Sequence, residues 1–211
     1  MFRKKNKNKI PPHLIPESVS NEQTRMIRTN LDQVLQEGPA LVMVTSPDEM
    51  EQKPTISSNL AVAFAEQGKK VLLVDVNTAK PSLHRLFTIS NTTGLTNVIL
   101  NEEPLLMNCK ETSTPGLFVL PVGALSISAA ELWVTSKLKK IATSCREEFD
   151  LVIFEVPALL TVSDPLVLAN QCDGIILVVE GNKTKKEAAL KAKEYLNRTN
   201  NHIMGVIYQT G

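Results

Sequence analysis

The chain has 211 residues, 43% of them hydrophobic and 21% charged, with a net charge of +1. That size suits one α/β domain with a full core, and so small a net charge excludes a global field that would recruit nucleic acid or membrane. No stretch reaches the ~20 apolar residues that span a bilayer, no signal peptide is expected, and the scattered Cys109, Cys145 and Cys172 lack metal-ligand spacing and read as reduced cytosolic thiols.

Residues 1–17 carry Arg3, Lys4, Lys5, Lys7 and Lys9 with three prolines, and read as a flexible basic arm, either solvated or drawn to anionic lipid. Residues 18–211 read as a single domain. A helix is predicted from Ser20, an N-cap candidate, to near Gln36, where Gly38 and Pro39 stop it. On it Glu22, Arg25 and Arg28 recur every third residue and share one face, with Met26 and Ile27 beside them. That face is either a subunit interface or a solvated surface with local ion pairs.

A β run at 40–45 leads into a polar loop that ends at Pro54. An amphipathic helix over 55–66 follows, with Ile56, Leu60, Ala63 and Phe64 at helical spacing. Gly68 ends it, and the buried strand 70–75 finishes on Asp75. A short helix is predicted at 93–100, a strand at 117–121 and a helix over 129–148. The strand 150–155 again ends in an acid, Glu155; a strand at 175–179, a Lys-rich helix at 184–199 and a strand at 203–208 complete the chain. Strands alternating with helices imply a doubly wound, mostly parallel sheet with helices on both faces. Ligands bind outside the carboxyl ends of such strands, where Lys53, Asp75 and Glu155 all fall.

Strand, loop, Lys53, Thr55 and helix are laid out as a phosphate-binding P-loop. Yet the loop contains no glycine: residues 50–55 read Met-Glu-Gln-Lys-Pro-Thr. Backbone N–H groups wrap phosphate in such a loop, and glycine permits the close approach. Met50 and Gln52 put side chains on that surface, and Pro54 removes a donor. Asp48, Glu49 and Glu51 surround the one positive charge, each repelling a triphosphate by roughly 1–2 kcal/mol at an effective dielectric near 20. Lys53 therefore has two readings, phosphate contact or an ion pair with Asp75 or Glu155, of which the pair is preferred. Asp75 and Asp164 read equally as site acids or as caps of a following turn. Lys183, Lys185, Lys186, Lys191 and Lys193 read as a solvated helix face, and His84 and Trp133 as packing or surface residues.

At these residues the chain resembles the bacterial tyrosine kinases, P-loop proteins that govern capsule and exopolysaccharide synthesis, and more broadly the ParA/MinD-type ATPases. The resemblance covers about residues 18–208. It rests on Glu22-x-x-Arg25-x-x-Arg28-Thr29-Asn30, Asn59-Leu60-Ala61, the run Gly68 to Asp75, Pro81-Ser82-Leu83-His84, Thr93-Gly94-Leu95, Phe149-Asp150-Leu151-Val152-Ile153 with Pro157, Ser163-Asp164 and Asp173-Gly174.

The resemblance implies ATP and Mg2+ as cofactors. Lys53 and Thr55 would bind nucleotide, Asp75 and Glu155 would hold the metal, and Lys53, Asp75 and Glu155 would form the catalytic set. It implies an oligomerisation face of Glu22, Arg25 and Arg28, and a homo-oligomer. It also implies a transmembrane activator of the polysaccharide co-polymerase type as partner, an active kinase paralogue as another, and a cytoplasmic place at the inner face of the plasma membrane. No nucleic-acid partner is expected.

The departures fall in the catalytic positions. The family's two loop glycines correspond to Met50 and Gln52, and its metal-binding Ser to Pro54. Its Asp-x-Asp reads Asp75-Val76-Asn77, its following basic residue Ala79, and its third strand-end Asp is Glu155. The tyrosine-rich tail is not seen, and the chain's two tyrosines are Tyr195 and Tyr208. The expected function is thus a kinase-like protein of polysaccharide synthesis with weak or lost catalysis, serving as a regulatory or scaffold subunit. The alternatives are an active tyrosine autokinase and a ParA/MinD-like positioning protein.

Overall fold

The computed structural model describes residues 21–124, 133–162, 165–199 and 201–210. The basic arm, Ser20, residues 129–132 of the predicted fourth helix, and Ser163-Asp164 lie outside them. In chain order the elements are α1 (Asn21–Glu37), β1 (Ala40–Thr45), α2 (Lys53–Ala65), β2 (Val71–Asp75), α3 (Leu83–Leu86), α4 (Leu95–Leu100), α5 (Leu105–Asn108), β3 (Lys110–Glu111), β4 (Leu117–Leu120), α6 (Thr135–Glu148), β5 (Leu151–Glu155), α7 (Pro165–Ala169), β6 (Gly174–Glu180), α8 (Lys186–Leu196) and β7 (Ile203–Gln209).

The strands form one seven-stranded sheet in the order β3-β4-β2-β5-β1-β6-β7. Every neighbouring pair is parallel except β3 with β4. All residues of β1, β2 and β5 are buried, which is why these strands read as unbroken apolar runs rather than alternating ones. Successive side chains serve two cores. Leu41, Met43, Leu72 and Phe154 pack with α4, α6, α7 and α8 on one face. Val42, Val44, Leu73 and Ile153 pack with Ile27 and Leu31 of α1 and Ile56, Leu60 and Phe64 of α2 on the other.

The amino edge of the sheet is closed by two aspartates that precede strands. Asp150 accepts the Lys70 N–H at 2.7 Å, and Asp173 accepts the Leu41 N–H at 2.7 Å and an Arg146 guanidinium N–H at 2.7 Å. The carboxyl edge carries β1, β2 and β5 straight into the loops where Lys53, Asp75 and Glu155 lie.

Three differences from the sequence reading have clear causes. α2 begins at Lys53, two residues early, because Pro54 sits in its first turn, where its fixed φ suits the helix and its missing N–H is not needed. The elements α3, α5, α7 and β3 are each five residues or fewer, too short to show a period. Ile27 is 3% exposed and packs against Gly205 on β7, so it belongs to this chain's own core and does not support a subunit contact.

Gly94 starts α4 where the helix docks on the end of β4: Leu95 and Thr96 donate their N–H groups to Pro121 and Val122 at 2.8 and 2.9 Å. A Cβ at Gly94 would stand 2.0 Å from the Pro121 oxygen and 2.7 Å from the Gly123 nitrogen, both of them backbone. Gly94→Ala is expected to cost about 3 kcal/mol in urea unfolding, the upper range for overpacking. Gly68→Ala, at φ +85 with open space around it, is expected to cost only about 1 kcal/mol.

Candidate functional site

The loop at the end of β1 is fastened to the segment after β5. Thr45 Oγ1 donates to the Pro157 carbonyl at 3.0 Å, and the Leu159 and Leu160 N–H groups donate to Ser46 and Pro47 at 2.9 and 3.1 Å. Met50 turns inward. It is 9% exposed and packs in the same core as Val44 and Ile56, so it does not stand on a phosphate-facing surface as the sequence suggested. Asp48, Glu49, Glu51 and Gln52 remain exposed.

Gln52 stands at the N-cap of α2 without a side-chain cap bond. The first turn is fastened instead by Ser57 Oγ to the Lys53 carbonyl at 3.1 Å and Ser58 Oγ to the Pro54 carbonyl at 2.7 Å. The Lys53 N–H points back to the Met50 carbonyl and Pro54 has none, so two donors that would face an anion are spent or missing. Thr55, half-buried, follows on the same turn.

Lys53 is 3% exposed and does not reach into the loop. Its Nζ donates to Glu155 Oε1 at 2.6 Å and to the Val156 carbonyl. The acids of the loop therefore do not surround its charge, contrary to the sequence reading; Glu49 pairs with exposed Lys80 at 3.1 Å. Of the two partners proposed for Lys53, the structure selects Glu155. The Val156 carbonyl was not foreseeable, because backbone acceptors leave no mark in a sequence.

Glu155 and Asp75 are paired in register on β5 and β2 and both are 0% exposed. Burial pushes the Glu155 carboxyl up to about 7, against the pull of Lys53, and nearby Asp75 adds to the rise. Its Oε2 is buried with no hydrogen-bond partner. Asp75 is also raised by burial, opposed by three backbone N–H groups. Asn77 donates to Oδ1 at 3.1 Å, and Ser82 and Leu83 donate to Oδ2 at 2.8 and 3.0 Å. Asp75 thus caps the turn into α3, one of the two roles its position allowed. Asn77 Oδ1 accepts the Lys80 N–H at 3.1 Å, a local turn of the kind an Asn side chain makes with the backbone that follows it.

These residues do not fit a magnesium–nucleotide pair as they stand. Pro54 has no hydroxyl, both Asp75 oxygens are held by backbone, the Asn77 oxygen is turned to Lys80, and Glu155 Oε1 is held by Lys53 while its Oε2 is enclosed without a partner. Among the described residues no group of three metal-binding side chains converges. The fold therefore brings Lys53, Thr55, Asp75 and Glu155 to one edge without building a metal site. It places Glu22, Arg25 and Arg28 elsewhere, on α1, which packs against β7.

Glu155 has a folded value near 7 against an ordinary value of 4.5, so the folded state holds its proton more tightly. Its contribution to stability is full below the ordinary value and declines as pH rises through about 7. Lys53→Met is expected to cost about 3–5 kcal/mol near pH 8, where it leaves a buried unpaired carboxylate. Near pH 5.5 the loss shrinks, because Glu155 takes up a proton. Urea unfolding of both proteins at the two pH values measures the difference.

Residues 51–203 match the AAA domain family. The chain is 39% identical over 193 residues to the tyrosine-protein kinase YwqD of Bacillus subtilis, covering 91% of this chain and 81% of that protein. Among solved structures it is similar to the chimerical protein CapA2B2, with a TM-score of 0.83, 28% identity and coverage of 93% and 87%. It shares its fold with the septum site-determining protein MinD of Pyrococcus horikoshii, solved with Mg-ADP, at a TM-score of 0.67, 22% identity and coverage of 80% and 69%. The eight matching motifs, the sheet order and these likenesses agree: the chain belongs to the bacterial tyrosine-protein kinase family.

Proposed function

We propose that this chain serves capsular or exopolysaccharide synthesis as a regulatory or scaffold subunit whose nucleotide site is shut and whose catalysis is weak or lost. The observation that carries this reading is the inward Lys53, bonded to Glu155 and Val156 where a kinase would need it on phosphate. To bind ATP the chain would break a buried ion pair, rebuild a loop whose Met50 is in the core, and do so without the Pro54 hydrogen. The autokinase alternative keeps Lys53 and Thr55 as nucleotide ligands and Asp75 and Glu155 as magnesium ligands, with a protein tyrosine as substrate. Its support is that both acids still stand side by side at the sheet edge. A ParA/MinD-like positioning role is less favoured, because the Arg25/Arg28 helix follows the kinases.

Calorimetry with Mg-ATP and Mg-ADP is expected to give no low-micromolar binding, and incubation with labelled ATP no phosphotyrosine. Tyr195 is half-buried in α8 and Tyr208 lies in β7, so neither is on a free tail. Micromolar affinity, or stoichiometric label on either residue, would establish the autokinase instead.

The partners proposed are a transmembrane activator of the co-polymerase type, an active kinase paralogue, and further copies of this chain, all at the inner face of the plasma membrane. Glu22, Arg25 and Arg28 on α1 are the proposed contact. A carboxylate and two guanidinium groups suit charge-assisted pairing with a neighbour's acids. Exposed ion pairs contribute only about 0.2–1 kcal/mol each, so a ring needs repetition and should loosen in salt. Light scattering after size exclusion is expected to show an oligomer at low salt that Arg25→Ala/Arg28→Ala dissociates. A monomer under all conditions, even with the activator's cytoplasmic segment added, overturns the interface.

A further inference from the structure

Residues 183–198 hold six cationic side chains, Lys183, Lys185, Lys186, Lys191, Lys193 and Arg198, against two anionic ones, Glu187 and Glu194, in a chain whose net charge is only +1. The rest of the chain is therefore net negative, and this segment is a local positive patch. Lys183 pairs with Glu180 at 2.6 Å and Arg198 with Glu194 at 2.7 Å. Lys185, Lys186 and Lys193 are exposed and have no ion-pair partner among the described residues. Lys191, also exposed, lies 5.7 Å over the Tyr195 ring.

Helix stability does not account for these lysines. Lys185 is the N-cap of α8 and Lys186 its first residue, where cations face the positive end of the helix dipole. Core packing does not account for them either, since Ala192 and Leu196 supply the buried side of α8.

The patch also carries exposed apolar groups. Leu190 is 56% exposed and lies on one stripe with Lys186 and Lys193, four residues before and three after it. Val206 and Tyr208 on β7 are 51% and 47% exposed. They pair in register with Leu177 and Val179, whose side chains face the core on the α8 side of the sheet. β7 is the last strand of the sheet, so Val206 and Tyr208 lie on its outer edge, on the sheet face that carries α8.

We propose that this face, α8 with the edge of β7, binds the surface of an anionic phospholipid bilayer directly. Lysines spread along a helix about 16 Å long match a plane of negative headgroups, while their stems and Leu190 enter the apolar boundary beneath. A duplex nucleic acid offers the same charge but nothing for Leu190 and Val206 to enter. The inference is independent of the nucleotide site and of any partner.

The test is co-sedimentation of the full chain with phosphatidylcholine vesicles, with and without phosphatidylglycerol, at low and high salt. Binding is expected only to the phosphatidylglycerol vesicles, weakening in salt. Lys186→Glu/Lys193→Glu should weaken it at least about tenfold, and Leu190→Ser several-fold, from the loss of cationic and apolar contact with the surface. Circular-dichroism melts check that the variants fold; the milder Lys186→Gln/Lys193→Gln, with an intermediate loss, replaces the reversal if it does not. Neutralising the arm, with Lys4→Gln, Lys5→Gln, Lys7→Gln and Lys9→Gln combined, should weaken binding less than the α8 reversal. The proposal is overturned by no binding, by equal binding to neutral vesicles, by an α8 reversal that binds as wild type, by loss confined to the arm variant, by a reversal that changes only the oligomeric state, or by tighter binding to duplex DNA than to the vesicles.

Discussion

The ion pair between Lys53 and Glu155 joins the start of α2 to the end of β5, the centre of the sheet's carboxyl edge. Each buried charge costs several kcal/mol in lost hydration, and attraction at short range returns this only with good geometry and further bonds. The Val156 carbonyl supplies one such bond to Lys53. Glu155 Oε2 receives none, which is why burial dominates and the carboxyl sits near 7. The pair ties the first residue of α2 to the end of β5, and so anchors one end of the loop between β1 and α2. On the reading proposed above the loop does not wrap an anion and has no need of glycine, and Met50 can face the core.

The neighbouring acid shows a different solution to the same burial. Asp75 lies beside Glu155 across the β2–β5 ladder, and its charge helps to raise the Glu155 carboxyl. Asp75 is stabilised chiefly by three backbone N–H groups, with the charge of Lys53 a smaller influence. Its carboxylate organises the turn from β2 into α3, while that of Glu155 neutralises Lys53. Two acids that in a metal site would converge on one ion are here turned to separate structural tasks.

Much of this was legible in the sequence because parallel strands buried on both faces leave long apolar runs. Those runs, each ending in a polar residue, marked β1, β2 and β5 and put Lys53, Asp75 and Glu155 at one edge. The choice of Glu155 over Asp75 as the partner of Lys53 was not legible. It depends on which acid the backbone of residues 77–83 can cap, and that follows from the fold of α3, too short to show a period. Nor could the direction of Met50 be read, since a single apolar residue in a polar loop has no neighbours to set its phase. The early start of α2 was carried by Pro54, whose place in a first turn is as good a helix signal as the apolar spacing that followed it. Ile27 misled for the opposite reason: adjacency to a charged face says nothing about which way a helical side chain points.

A nucleotide-binding fold gains stability from its ligand, about 2.7 kcal/mol when the ligand is at one hundred times its dissociation constant. That gain rises and falls with ligand concentration, and it is how such folds couple nucleotide to shape. A buried ion pair worth a similar amount when broken has no such dependence. On the reading proposed above, this chain has exchanged the first kind of stabilisation for the second. Its α1 face and its basic α8 face would then be presented at all times, whatever the nucleotide supply. Changes in assembly would have to come from salt, from partner concentration or from pH near the range where Glu155 ionises, because on that reading Lys53 is bonded to the protein itself rather than to a nucleotide.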